Sequence, residues 1–288
     1  MSEFVQVRRD GAVLVVTLAR PEKKNALTGA MYEALIAAFA RASDDVEVAA
    51  LLIEGSGGVF SAGNDIGDFL AYALAPGASI GEAPVMRFIY ALARFAKPLV
   101  AAVEGPAVGL GTTLCFHCDL VYASPSARFH MPFVDLGLVP EAGSSLLAPQ
   151  RFGRARASEY LLLGEPFDAE AARAGGLINA VVDAALLHAH ALAKAKALAA
   201  KPRQALLAAR RLIRGDEAAV LARMDEEVKL FEAALRSPEA RAAFMAFMSR
   251  PKGEPQRAQP AASSPAGAAK SRPAARPFQR LEPGGDCG

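Results

Sequence analysis

The sequence predicts an α/β fold with a mainly parallel sheet and a helical C-terminal region. Short apolar runs alternate with helix-period segments, most of those runs end in small residues, and from residue 155 onward the pattern is mostly helical.

Residues 4–18 alternate apolar and polar, and Asp10-Gly11 in their middle predicts a hairpin. Thr28 can N-cap a helix through about Ala42, in which Met31, Leu35, Ile36 and Phe39 recur at helical spacing. "VEVAALLIEG" predicts a buried strand ending at Gly55. A second unit follows, with a long loop, a helix near 84–96 and the strand "PLVAAVEG". A third holds a short helix near 110–117, then "DLVYAS" and "ARFHM". Asp168 can cap "AEAARAG", Gly175-Gly176 stops that helix, and "LINAVVD" predicts one more strand. Helices are expected over 184–200, 204–214 and 217–236, with a last one opened by Ser237-Pro238.

Composition narrows the function. With 288 residues, 52% of them hydrophobic and 22% charged, the chain can bury a large core. A net charge of +2 gives no whole-protein field that would argue for nucleic acid or an acidic membrane surface as partner. The N-terminal "MSEFVQVRRDGAVLVV" lacks an apolar signal core, and the most apolar stretch is broken by Glu104, Gly105 and Pro106. No membrane span and a cytoplasmic location are therefore expected. Three cysteines are too few for a disulfide framework. Cys115 and Cys118 form a lone C-x-x-C, and His188 and His190 would face different sides of a helix, so no metal site is expected. From Pro251 the chain changes character: residues 251–288 hold seven of the 19 prolines and six basic residues against three acidic. Without apolar periodicity, a disordered tail is expected there.

Two stretches run from a strand into small residues, "LLIEGSGGVFSAGNDIGDF" and "VAAVEGPAVGLGTTLCFHCD". Neither is a dinucleotide loop: Phe60 stands where the third glycine after Gly55 and Gly57 belongs, and Gly105, Gly109 and Gly111 are wrongly spaced. No phosphate-binding P-loop and no G-x-S-x-G nucleophile elbow occurs. A third stretch, "PFVDLGLVPEAGSS", sets one carboxylate, Glu141, between a proline and small residues. Alone it reads as a solvated turn.

Taken with "RPEKKNAL", "FSAGNDI", "EGPAVGLG", "CDLVYAS" and "AGGLINAVV", in this order, it gives the chain a resemblance to the crotonase (enoyl-CoA hydratase/isomerase) superfamily over about residues 4–250. The resemblance implies a β-β-α spiral core over 1–195, a C-terminal helical region of the same domain over 196–250, and the tail beyond. It further implies an acyl-CoA thioester substrate, no cofactor other than the coenzyme A of that substrate, and a homotrimer or dimer of trimers.

Residue by residue, the family's oxyanion hole maps onto the backbone amides of Asn64 and Leu110. Fixed donors of this kind stabilise charge on the thioester oxygen, each worth roughly 10²–10³ in rate. Ala62, Gly63 and Gly109 shape those loops, and Lys24 and Ala26 match the CoA-contacting loop, although Lys23 and Lys24 also read as solvated lysines. Two-glutamate hydratases carry acids at positions that here hold Thr113 and Phe133, neither of which exchanges protons near neutral pH. Glu141 stands instead where the similar Δ3,Δ2-enoyl-CoA isomerase branch carries its catalytic glutamate. A single base can take the proton at C2 and return it at C4. An apolar wall of Phe133, Leu136 and Leu138 would raise its pKa. Asp65, beside Ile66, reads either as a second catalytic carboxylate or as a helix cap. Asp119 is expected to fix a turn, and His117 and His130 to be structural. The expected function is thus double-bond isomerisation of 3-enoyl-CoA. The alternatives are an enoyl-CoA hydratase, or a non-catalytic protein of this fold that binds RNA or protein through the basic tail.

Overall fold

A computed structural model gives the fold and describes residues 3–73 and 79–249. β1 (Val5–Asp10) and β2 (Val13–Leu18) pair antiparallel, and Gly11 takes the left-handed φ of 61° that the turn needs. Thr28 then caps α1 (Gly29–Asp44), its hydroxyl accepting the Met31 amide at 3.3 Å. β3 (Ala50–Gly55) lies parallel to β2 and is followed by α2 (Ile66–Ala73) and α3 (Pro84–Ala93). β4 (Leu99–Val103) lies parallel to β3. Next come β5 (Pro106–Val108), the single turn α4 (Leu110–Thr113), β6 (Leu120–Ala123) and β7 (Arg128–His130).

α5 (Ser144–Leu162) is broken at Gly153, which has φ 74° and ψ 160°. It leads to β8 (Phe167–Asp168), α6 (Ala169–Ala174) and β9 (Ala180–Val181). Asp168 caps α6 through the Ala171 amide, as its sequence position predicts. The chain finishes in α7 (Ala184–Ala199), α8 (Arg203–Arg214), α9 (Glu217–Leu235) and α10 (Pro238–Met248). The expected line between core and helical region, at 195/196, falls inside α7. The expected tail lies outside the described residues, among which no helix is long and apolar enough to cross a membrane.

The strands form two sheets rather than one. The larger has the order β1-β2-β3-β4-β6-β9 and is parallel apart from β1. The smaller, β5-β7-β8, was not separable in the sequence: β5 opens on Pro106, tolerable at an edge, and β8 has two residues. The period of two divides the large sheet cleanly. Val13, Val15, Ala50, Leu52, Val100 and Ala102 face α7 through Leu187, Ala191 and Ala195. Leu14, Val16, Leu51, Ile53, Ala101 and Val103 join the main core with α1 and α3. All parallel strands end on one side, so the loops after β2, β3, β4 and β6 share that edge. Ligands of open α/β sheets bind outside such carboxyl ends.

Candidate active site

Hydrogen bonds stitch these loops together. Past the end of β2, the 20–27 loop meets the 61–65 loop through Ala62 N to Lys24 O, Leu27 N to Gly63 O and Asp65 N to Leu27 O, all at 2.8–2.9 Å. The 61–65 loop in turn meets β5 through Ser61 N to Pro106 O at 3.0 Å and Val108 N to Ser61 O at 2.9 Å. The two glycine-containing stretches singled out in the sequence are therefore neighbours, which brings the Asn64 and Leu110 segments to one place.

Two glycines make that approach possible. Gly63 has φ 83°, and a methyl group there would stand 2.6 Å from the Val108 carbonyl oxygen. Gly109, at φ 54° and ψ −120°, takes a backbone conformation that strongly favours glycine, immediately before the Leu110 amide. Among the described residues, no backbone acceptor takes up the Asn64 or the Leu110 amide.

Glu141 is not a solvated turn residue. It is 5% exposed, its Oε1 accepts from Thr113 Oγ1 at 2.5 Å, and its Oε2 is buried with no partner among the described residues. Burial pushes its pKa up to about 8, the negative charge of Glu227 adds to this, and the Thr113 hydroxyl opposes it. A carboxyl that titrates there can both accept and return a proton near neutral pH. The backbone beyond it is unusual: Ala142 and Gly143 are both left-handed, at φ 57° and 71°. His117 Nε2 donates to the Ala142 carbonyl at 2.7 Å, and burial pushes this histidine down to about 4, so it is neutral.

The remaining residues named from sequence fall as follows. Phe133 and Leu138 are buried in the main core and Leu136 packs against it. Lys24 is exposed with φ 52°, and Ala26 offers its carbonyl to Arg20 Nη1 at 3.1 Å. Asp65 is drawn into structure: Arg20 pairs with it at 2.7 Å, and its Oδ1 accepts the Asp68 amide at 3.3 Å in the first turn of α2, which begins at Ile66. Partial burial would raise its pKa, but Arg20 and the Asp68 and Gly67 amides hold it below the usual carboxylate range. Asp119 takes the Leu99 amide at 2.7 Å and pairs with Arg210 at 2.8 Å, joining β4 to α8 rather than only closing a turn. Cys115 and Cys118 are buried free thiols.

Tyr32 and Glu227 were not legible in the sequence as members of this region, and the anchoring contacts of Asn25, which lies within the expected "RPEKKNAL" loop, were not legible either. Asn25, fully buried, anchors its loop by donating to Ser56 O at 3.0 Å and Val59 O at 2.6 Å. Tyr32 on α1 donates its phenol proton to the Asn64 side-chain oxygen. Burial raises the Tyr32 pKa well above the phenol range, and the negative charge of Glu141 adds to it. Glu227 on α9 accepts the amides of Gly143 and Ser145. Each contact joins residues too far apart in sequence to leave a local pattern.

Known proteins resemble the chain in sequence and in fold. The enoyl-CoA hydratase/isomerase family model matches residues 8–256. Enoyl-CoA delta isomerase 2 of Rattus norvegicus is 36% identical over 252 residues, covering 86% of this chain and 64% of that protein, so the chain spans less than two thirds of that relative. The 2,3-dehydroadipyl-CoA hydratase of Escherichia coli (strain K12) is 33% identical, covering 87% of this chain and 97% of the hydratase. The solved structure of Pseudomonas aeruginosa OdaA has a TM-score of 0.82 at 43% identity, covering 86% of this chain and all of that one. With its spiral of β and α units and its paired glycine loops, the chain belongs to the enoyl-CoA hydratase/isomerase family.

Proposed function

We propose that this chain is a Δ3,Δ2-enoyl-CoA isomerase with Glu141 as its single acid–base. The observation that carries this reading is the Thr113–Glu141 pair. One of the two positions where hydratases hold a glutamate supplies a hydroxyl to Glu141 instead, and the other, Phe133, is core. Ionised Glu141 takes the C2 proton of a 3-enoyl-CoA. The dienolate oxygen is held by the Asn64 and Leu110 amides, and the same carboxyl returns the proton at C4. No water is added, so a second carboxylate is not needed. The rat isomerase similarity supports the same reading.

On this proposal Lys24 and Ala26 meet the coenzyme A portion, which enters as part of the substrate, and no separate cofactor takes part. Ala62, Gly63, Gly109 and Ile66 shape the acyl entrance. The working unit is a homotrimer or dimer of trimers in the cytoplasm. The test is a paired assay on the purified protein: gain of conjugated thioester absorbance from 3-enoyl-CoA, and its loss from 2-enoyl-CoA. Faster hydration than isomerisation overturns the proposal.

A further inference from the structure

Glu227 is a carboxylate on α9 with 4% exposure, and a charge so enclosed has to be met by donors. Both come from the stretch just beyond Glu141. Glu227 Oε2 accepts the Gly143 amide at 2.6 Å and Oε1 accepts the Ser145 amide at 2.9 Å. Gly143 is the N-cap of α5 and has no side chain to close that helix, so a residue from α9 does so. The Ser144 amide and hydroxyl both donate to the Glu141 carbonyl, at 3.0 and 2.6 Å. The main chain of Glu141 is thus tied to the first turn of α5, which Glu227 holds, while His117 donates to the Ala142 carbonyl.

Two successive left-handed residues, one of them an alanine, are a disfavoured arrangement that outside contacts have to hold in place. We infer that Glu227 is a positioning residue for Glu141, fixing the 142–145 turn that aims the base and setting a negative charge behind it. This inference rests on the isomerase reading only for its kinetic consequence.

The groups acting on the pair are few. Beside Glu227 stand Arg223 on α9 and Tyr90 on α3, whose phenol bonds Asp225 and whose ring lies near Arg94. Beside Glu141 stand Thr113 on α4 and Tyr32 on α1, and the neutral His117 bonds the carbonyl of the next residue, Ala142. Burial raises the Glu227 pKa, but the Ser145 and Gly143 donors and Arg223 favour its ionised form.

Glu227→Gln keeps the side-chain volume, leaves one amide without an acceptor and removes the charge. In that variant the plateau kcat should fall about tenfold with KM within about twofold. The acid limb of kcat should move down by about one pH unit, because Glu141 ionises more easily without a like charge behind it. An acid limb that stays in place, whatever happens to kcat, leaves Glu227 a plain helix cap and overturns the inference. Should Glu227→Gln not fold, Glu227→Asp decides: it keeps the charge but retracts it, so kcat should drop several-fold at unchanged KM, and an unchanged kcat overturns the inference. A carboxyl ¹³C titration of Glu141, assigned by its loss in Glu141→Gln, needs no turnover. It should move down in Glu227→Gln even if the wild type proves not to be an isomerase, which separates the two failures.

Discussion

Thr113 donates its hydroxyl to Glu141 across 28 residues of sequence, and both side chains are buried. Burial and the negative charge of Glu227 oppose the ionised base while the hydroxyl favours it, and the pKa of about 8 is the balance of the three. Removing the hydroxyl with the near-isosteric Thr113→Val should therefore raise the acid limb of kcat above the wild-type position and lower kcat at pH 7. The loss of a buried partner costs about 1–3 kcal/mol, visible as a lower Tm. An acid limb shifted downward would show that Thr113 does not act on Glu141.

Glu141→Gln should keep the fold and CoA affinity but reduce isomerase turnover by several orders of magnitude, since an amide cannot carry the proton. Retention of more than about a tenth of wild-type kcat would remove Glu141 from the mechanism.

The pH dependence has a definite sign. The base must be ionised and titrates at about 8, so kcat should climb about tenfold per pH unit below that value and level off above it. The same group weakens the fold as pH rises. Its folded pKa lies above the unfolded 4.5, so its favourable contribution is complete below 4.5 and is lost on the way to about 8. Glu227 shifts in the same direction, but it is present in both proteins compared. The Tm of Glu141→Gln minus that of wild type should consequently grow between those two pH values. A difference that shrinks instead contradicts the burial argument.

The two loop glycines should respond unequally. Gly109→Ala meets nothing within 4 Å, so its cost is conformational strain of order 1–3 kcal/mol, seen as a modest Tm loss. Gly63→Ala drives a methyl to 2.6 Å from Val108 O and must part the two loops. With the Asn64 amide displaced, turnover should fall by roughly 10²–10³ beyond any loss of folded protein. Equal effects on kcat per folded molecule would argue against the loop contact as the determinant.

Much of this architecture was legible because it is local. The hairpin at Gly11, the caps Thr28 and Asp168, the helix after Pro238 and the buried runs of β3 and β4 each carry their signal within a few residues. The loop positions came from motif order. What stayed hidden is non-local: the contact of Asn64 with Tyr32, that of Glu141 with Thr113, and the reach of Glu227 over 82 and 84 residues to α5. The smaller sheet was missed because Pro106 reads as a breaker until a neighbour exists that does not need its amide. The strand expected over "LINAVVD" shrank to Ala180–Val181: at Asn179 the side-chain oxygen takes the Val121 amide in place of a main-chain carbonyl, while the Asn179 amide still donates to the Val121 carbonyl.

The backbone bonds between the 20–27 and 61–65 loops have a kinetic meaning under the proposed function. Lys24, on the side that would grip the nucleotide end of coenzyme A, and Asn64, beside the reacting carbonyl, are parts of one rigid piece rather than two independent fingers. Whatever seats the handle of the substrate also sets the angle at which its reactive end arrives. A thioester trimmed to its pantetheine arm would then suffer mainly in kcat, because the lost grip would have been spent on alignment rather than on adhesion.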